Sequence, residues 1–263
     1  MEVEWVKPVP NNGNKIVSMK EMEDGSYLVG SSYQGDKVDL GNGVVANTTY
    51  GNAGGMIAKY NDRGEAQWVK LLEAQNKVDI ISAMETKDGG YIVSGNFYNT
   101  DVYIGNNERV VPIQQDKWTG MIIKYNKEGN PEWNKTYPIA WDNYEKIPAI
   151  TETQDGGYVV GCSLKINGSL DLGNGIILKD YNRRDEDRYG VLIKYNNKGE
   201  TQWAKEIKSC GGYTTIYIHA IKETKNGELM IIGKDREHNR IELGNGVALN
   251  SSAKRFYGIY YKI

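Results

Sequence analysis

The sequence predicts an all-β fold, a closed four-bladed β-propeller, and three observations carry that prediction. One strand-rich unit recurs at intervals of about 65 residues. Asp-Gly and Asn-Gly pairs separate short apolar-rich runs along the whole chain, the strongest short-range signal for hairpins. One unit is divided between the two ends of the sequence. The units are expected at approximately 5–67, 68–132, 133–202 and 203–263 joined by 1–4, within one domain of residues 1–263.

Each unit opens on a hairpin. In the first it is Ile16-Val-Ser-Met-Lys-Glu21, a turn at Asp24-Gly25, and Tyr27-Leu-Val-Gly30. Its counterparts start at Ile81, Ile147 and Ile218 and turn at Asp88-Gly89, Asp155-Gly156 and Asn226-Gly227. Gly and Asn accept the positive φ such turns need. A smaller hairpin follows, Val38-Asp-Leu-Gly-Asn-Gly-Val-Val45, repeated from Leu170 and Ile241 and degraded to Val102-Tyr-Ile-Gly-Asn-Asn107. It is expected as an addition between the second and third strands of a blade. The last element runs from Gly55-Met-Ile-Ala-Lys-Tyr60 through an Asn-x-x-Gly turn to Trp68-Val-Lys70, and recurs from Gly120 to Trp133 and from Gly190 to Trp203. Its strands alternate with a period of two.

The chain ends argue for a ring. Glu4-Trp5-Val6-Lys7 matches the closing strand of this last element, and Gly258-Ile-Tyr-Tyr-Lys-Ile263 matches its opening strand. Pairing them would let the N-terminal strand complete the last blade and remove two open sheet edges. A linear solenoid and closure through a neighbouring subunit are the alternatives. Ser18, Ala83, Ala149 and Ala220 are expected at the crowded axis, and Trp5, Trp68, Trp133 and Trp203 as packing between blades.

The pattern Gly-x-Ile-x-Lys-Tyr-Asn-x-x-Gly-x-x-x-Trp, preceded by Asp-Gly-Gly-Tyr-Ile-Val-x-Gly, resembles the repeats of bacterial β-propeller proteins found on surface and secreted polypeptides. Its strand–turn–Trp half is similar to the tryptophan-docking blade of quinoprotein-type propellers. The resemblance covers essentially the whole chain and implies adhesion or scaffolding. Those propellers usually carry more blades, and four would leave too tight a channel for a central cofactor. No cofactor is expected.

Charge narrows the partners. Lys and Arg number 32 against 34 Asp and Glu, a net charge of −2, without the basic excess of a nucleic-acid binder. No apolar run approaches a membrane span. Two cysteines, Cys162 and Cys210, make no disulfide framework, and buried thiols are the expected state. The N-terminus lacks a signal peptide pattern, so compartment is open, with a secreted or cell-surface site favoured over the cytoplasm by the resemblance.

Chemistry-bearing clusters are sparse. Glu21, Glu85, Glu152 and Glu223 recur with the units, as do Lys59, Lys124 and Lys194, and cross-strand Glu–Lys pairing is the expected role. His219 and His238 lack metal-ligand spacing, so no metal site is expected. No nucleophile elbow or phosphate loop is present, and no catalytic residue is assigned. The differences between units carry more information. Loops 114–118, 179–189 and 253–257 are expected on one face, with the segments 137–144 and 213–217 nearby. Together they offer Trp118, Trp141, Tyr144, Tyr181, Tyr189, Tyr213 and Tyr217 as ligand-binding aromatics beside Asp, Asn and Arg. Such rings stack on sugar faces while the polar groups bond hydroxyls, and they also serve protein hot spots. The expected protein is a monomeric, non-catalytic recognition module for carbohydrate or a protein surface. A glycoside-active enzyme, or a purely structural unit of a larger surface or toxin assembly, are the competing readings.

Overall fold

The computed structural model describes residues 16–139, 149–164, 166, 168–179, 189–210, 216–235, 240–244, 247–250 and 257–261. These form strands and turns in two compact units, the first ending at Thr136 and the second beginning at Tyr137. Among the described residues no helix is long and apolar enough to cross a membrane.

In the first unit the strands are β1 (Ile16–Glu21), β2 (Tyr27–Gln34), β3 (Lys37–Asp39), β4 (Val45–Asn47), β5 (Ala53–Tyr60), β6 (Ala66–Ala74), β7 (Val78–Glu85), β8 (Tyr91–Tyr98), β9 (Val102–Gly105), β10 (Glu108–Val110), β11 (Trp118–Tyr125) and β12 (Pro131–Pro138), whose last two residues belong to the second unit. They make a six-stranded sheet ordered β1-β2-β5-β6-β9-β10, a four-stranded sheet β12-β11-β8-β7 and the small hairpin β3-β4. The second unit contains β13 (Ala149–Glu152), β14 (Tyr158–Leu164), β15 (Ser169–Asp171), β16 (Ile177–Lys179), β17 (Tyr189–Tyr195), β18 (Thr201–Cys210), β19 (Ile216–Glu223), β20 (Leu229–Asp235), β21 (Arg240–Gly244), β22 (Val247–Asn250) and β23 (Tyr257–Tyr261). Its sheets are β13-β14-β17-β18-β21-β22, β19-β20-β23 and β15-β16.

The hairpins lie where the turn residues place them. Gly25, Gly89, Gly156 and Gly227 all take φ between 76° and 78°. In the first three turns an Asp two residues before the returning strand accepts a backbone N–H, Asp24 from Ser26, Asp88 from Gly90 and Asp155 from Gly157. The Asn-x-x-Gly turns work the same way, with the Asn61 side-chain oxygen accepting from Arg63 and Glu65.

The closed four-bladed ring is not what these strands build. The six sheets are separate, their main members have six, four, six and three strands, and none closes into a barrel or curls strongly. The assembly into four equal repeated blades, and with it the assignment to bacterial β-propeller repeat proteins, is overturned by this. The cause is visible in the small hairpins. β9–β10 does not stay with its own strands but joins β6 through Glu73 opposite Tyr103, and β21–β22 joins β18 through Lys208 opposite Glu242. Each covers an edge strand whose backbone groups would otherwise lie open. The strand expected to close the ring, at residues 4–7, lies outside the described residues. The proposed axis fails too. Ser18 and Ala83 bond each other, Oγ accepting from the Ala83 N–H at 3.1 Å, whereas Ala220 is exposed.

Sheets within each unit pack by dropping isoleucines onto glycine floors. A Cβ on Gly30 or Gly55 would lie 2.8 Å or 2.4 Å from Ile80 of the facing sheet. In the second unit Gly161 receives Ile221 and Ile218 in the same way. Ile80 is fully buried, in one cluster with Leu28, Ile57, Leu72, Val93 and Phe97. Trp68 packs on this cluster edge-on to Tyr91, and Trp203 on that of the second unit.

Candidate functional site

Recurring charged residues hold strands together. Lys124 and Lys194 are buried on central strands, and their ammonium groups meet Asp88 at 2.8 Å and Asp155 at 2.6 Å. Lys59 pairs with Asp24 at 2.7 Å. The expected Glu–Lys pairing is thus replaced by pairing with the turn aspartates. Lys124 reaches a glutamate as well, Glu132 at 3.0 Å. The recurring glutamates tie one hairpin to the next: Glu85 accepts the Glu23 N–H and Glu223 the Gln154 N–H. Among the described residues no three His, Cys, Asp or Glu side chains gather to hold a metal. Cys162 is buried, and burial pushes its thiol well above the usual range, which makes it a poor nucleophile.

A cleft of about 310 Å³ opens in the first unit. Three segments line it: the end of β2 (Ser32, Tyr33, Gln34), the entry to β5 (Asn52, Ala53, Gly54), and the β6–β7 connection with the start of β7 (Gln75 to Asp79). Close backbone approach sets the position of the middle segment. A Cβ on Gly51 would lie 1.9 Å from the Ala74 carbonyl oxygen, and one on Gly54 2.1 Å from that of Leu72. Glu73 adds a clamp, its carboxylate accepting the backbone N–H groups of Thr49 and Tyr50. Asn52 is therefore presented from a loop fastened on both sides. On the opposite wall Ser32 Oγ donates to the Val78 carbonyl at 2.9 Å, tying β2 to β7.

The lining is rich in groups that both donate and accept. Gln34, Asn52, Gln75 and Asn76 are exposed amides. Lys77 and Asp79 form a 3.6 Å ion pair. Tyr33 is only 3% exposed, and its hydroxyl finds no hydrogen-bond partner among the described residues. Burial, with the nearby Glu73 charge, raises that hydroxyl further above its ordinary pKa, so it stays protonated and able to donate.

An aromatic pair adjoins the cleft. The Lys77 ammonium lies 5.6 Å from the centre of the Trp118 ring, and Tyr98 stands 5.5 Å from Trp118 at 51°. Both rings are half-buried. Of the aromatics expected from the sequence, Trp118 is the one that belongs to this site. Tyr217 is 6% exposed on β19, and Tyr189 begins β17 opposite Leu164. Trp141, Tyr144, Tyr181 and Tyr213 lie outside the described residues. The cleft residues themselves went unnoticed in the sequence, where polar loop residues follow no motif.

No family model matches this chain, and no curated protein matches it. A protein of unknown function from Dyadobacter fermentans DSM 18053 is 12% identical at a TM-score of 0.44, over 97% of this chain and 65% of its own length. Another, from Bacteroides caccae, is 14% identical at a TM-score of 0.34, over 78% of this chain and 68% of its own. The chain thus spans just under two thirds of the Dyadobacter protein.

Proposed function

We propose that this protein is a non-catalytic recognition module that binds carbohydrate in the first-unit cleft. One observation carries the reading. Four amide side chains, an ion pair and an unpartnered tyrosine hydroxyl line a concave site next to the half-buried Trp118. A sugar ring has apolar faces that stack on an aromatic ring and a rim of hydroxyls that donate and accept at once. Amides match that rim better than carboxylates or ammonium groups alone. The fastened loop supports the same reading, since a preorganised site loses less on binding.

The enzyme alternative fits less well. Glycoside hydrolysis needs two carboxyl groups flanking one bond. Asp79 is the single carboxylate among the described lining residues, and the neighbouring Glu73 is committed to backbone N–H groups. A glycan-binding role fits a secreted or cell-surface location and requires no second copy of the chain.

The test is a glycan array with the purified chain, repeated with Trp118→Ala. Selective retention by the wild type and its loss in a folded variant would support the cleft as a sugar site. Equal retention by both would remove Trp118 from it. A blank array would favour a protein ligand.

A further inference from the structure

We propose that Lys77 sets the ligand class of this cleft, selecting neutral sugars over acidic ones by occupying the Trp118 face until a sugar ring displaces it. The proposal rests on the carbohydrate reading above. The backbone of Lys77 is held in place, its carbonyl accepting the Tyr98 N–H at 3.1 Å and its own N–H donating to Asn76 Oδ1 at 2.8 Å. Its side chain is 61% exposed and is retained by contacts that are weak at a wet surface, the Trp118 face and Asp79.

A ring stacking over the same face of Trp118 must move the ammonium aside. Asp79 is close enough to keep it, so the displaced cation stays paired. The charges of Lys77 and Asp79 already cancel. Neutral hydroxyls can accept from the ammonium and donate to the Asp79 carboxylate without bringing charge into the cleft. A uronate would meet a cation whose partner is present and a carboxylate that repels it. The amides Gln34, Asn52, Gln75 and Asn76 add no charge to offset that repulsion.

The experiment uses the full chain on an array of neutral gluco-, manno- and galacto-oligosaccharides alongside oligogalacturonate and hyaluronan fragments. Calorimetric titration of the best neutral oligosaccharide into wild type and Lys77→Ala follows. Wild type should retain neutral sugars alone, and Lys77→Ala should bind the same sugar about two- to fivefold more tightly, because the stacking face is vacated. Binding by wild type should also hold steady as salt is raised, since no net charge is exchanged. Retention of uronates, equal or weaker binding by Lys77→Ala, or a steep loss of affinity with salt would each overturn the role of Lys77 and leave sugar binding standing. A wild type that retains no glycan at all would overturn the carbohydrate reading, and this proposal with it.

Discussion

At the scale of single residues, Tyr33 separates stability from function. Its hydroxyl is buried without a partner among the described residues, a state that costs roughly 1–3 kcal/mol of desolvation unless a ligand satisfies it. Tyr33→Phe removes the hydroxyl and keeps the ring. The melting temperature should therefore hold or rise, while affinity for a glycan ligand falls about three- to tenfold as one hydrogen bond is lost. A drop of several degrees would mean the hydroxyl already has a partner and is not kept for a ligand. Trp118 was legible in the sequence because it differs between units. Tyr33, Asn52 and Lys77 were not, because their importance comes from three segments meeting at one cleft. The one usable signal was the amide-rich run Gln75-Asn76 before Lys77, which composition alone reads as a solvated loop.

At the scale of elements, the β4–β5 loop shows how a polar segment is held without a core of its own. Gly54 sits with no room for a side chain, a Cβ there lying 2.1 Å from the Leu72 oxygen and 2.9 Å from Tyr33 Cε1. The first of these is backbone in a paired strand and cannot yield. Gly54→Ala should destabilise the chain by about 1–3 kcal/mol in chemical denaturation and displace Asn52 from the cleft, abolishing ligand binding. Wild-type stability in this variant would show that the loop shifts freely, against the fastened geometry. The hairpins themselves were readable, since Asp-Gly and Asn-Gly turns admit few conformations. Their partners were not. β9–β10 carries nothing local that directs it to β6, and the choice depends on which open edge lies near it in the folded unit.

At the scale of the whole molecule, the similar sequences of the units implied symmetry, and symmetry implied a ring; but local similarity specifies a hairpin, and hairpins assemble by whichever edges they can cover. What the units do share is a lysine held by a turn aspartate, and this makes a prediction for the chain as a whole. Burial acts first on the Asp155 carboxyl and pushes it up, but hydrogen bonds from Lys194, Thr153 and the Gly157 N–H together outweigh burial and bring it from 3.8 down to about 2. Asp88 is lowered by the same contest, with Lys124, Thr86 and Gly90 as donors, and Asp24 is lowered chiefly by Lys59 and Ser26. A carboxyl whose pKa is depressed on folding stabilises the folded state fully above its unfolded value, and that contribution is lost as pH falls through the folded one. Both units carry such groups, so the melting temperature should be level above about pH 5 and decline steeply between about pH 4 and pH 2. Solvent screens the exposed carboxylates, so each contribution is modest and the slope is their sum. Lys194→Met fills the same buried space without the donor, and replacing a buried charge by a well-packed apolar side chain is often nearly neutral near pH 7. Freed of its ammonium partner, Asp155 should titrate nearer its ordinary value, and the variant should lose less stability than wild type across that acid window. Parallel curves for the two proteins would show that acid unfolding is governed by other groups.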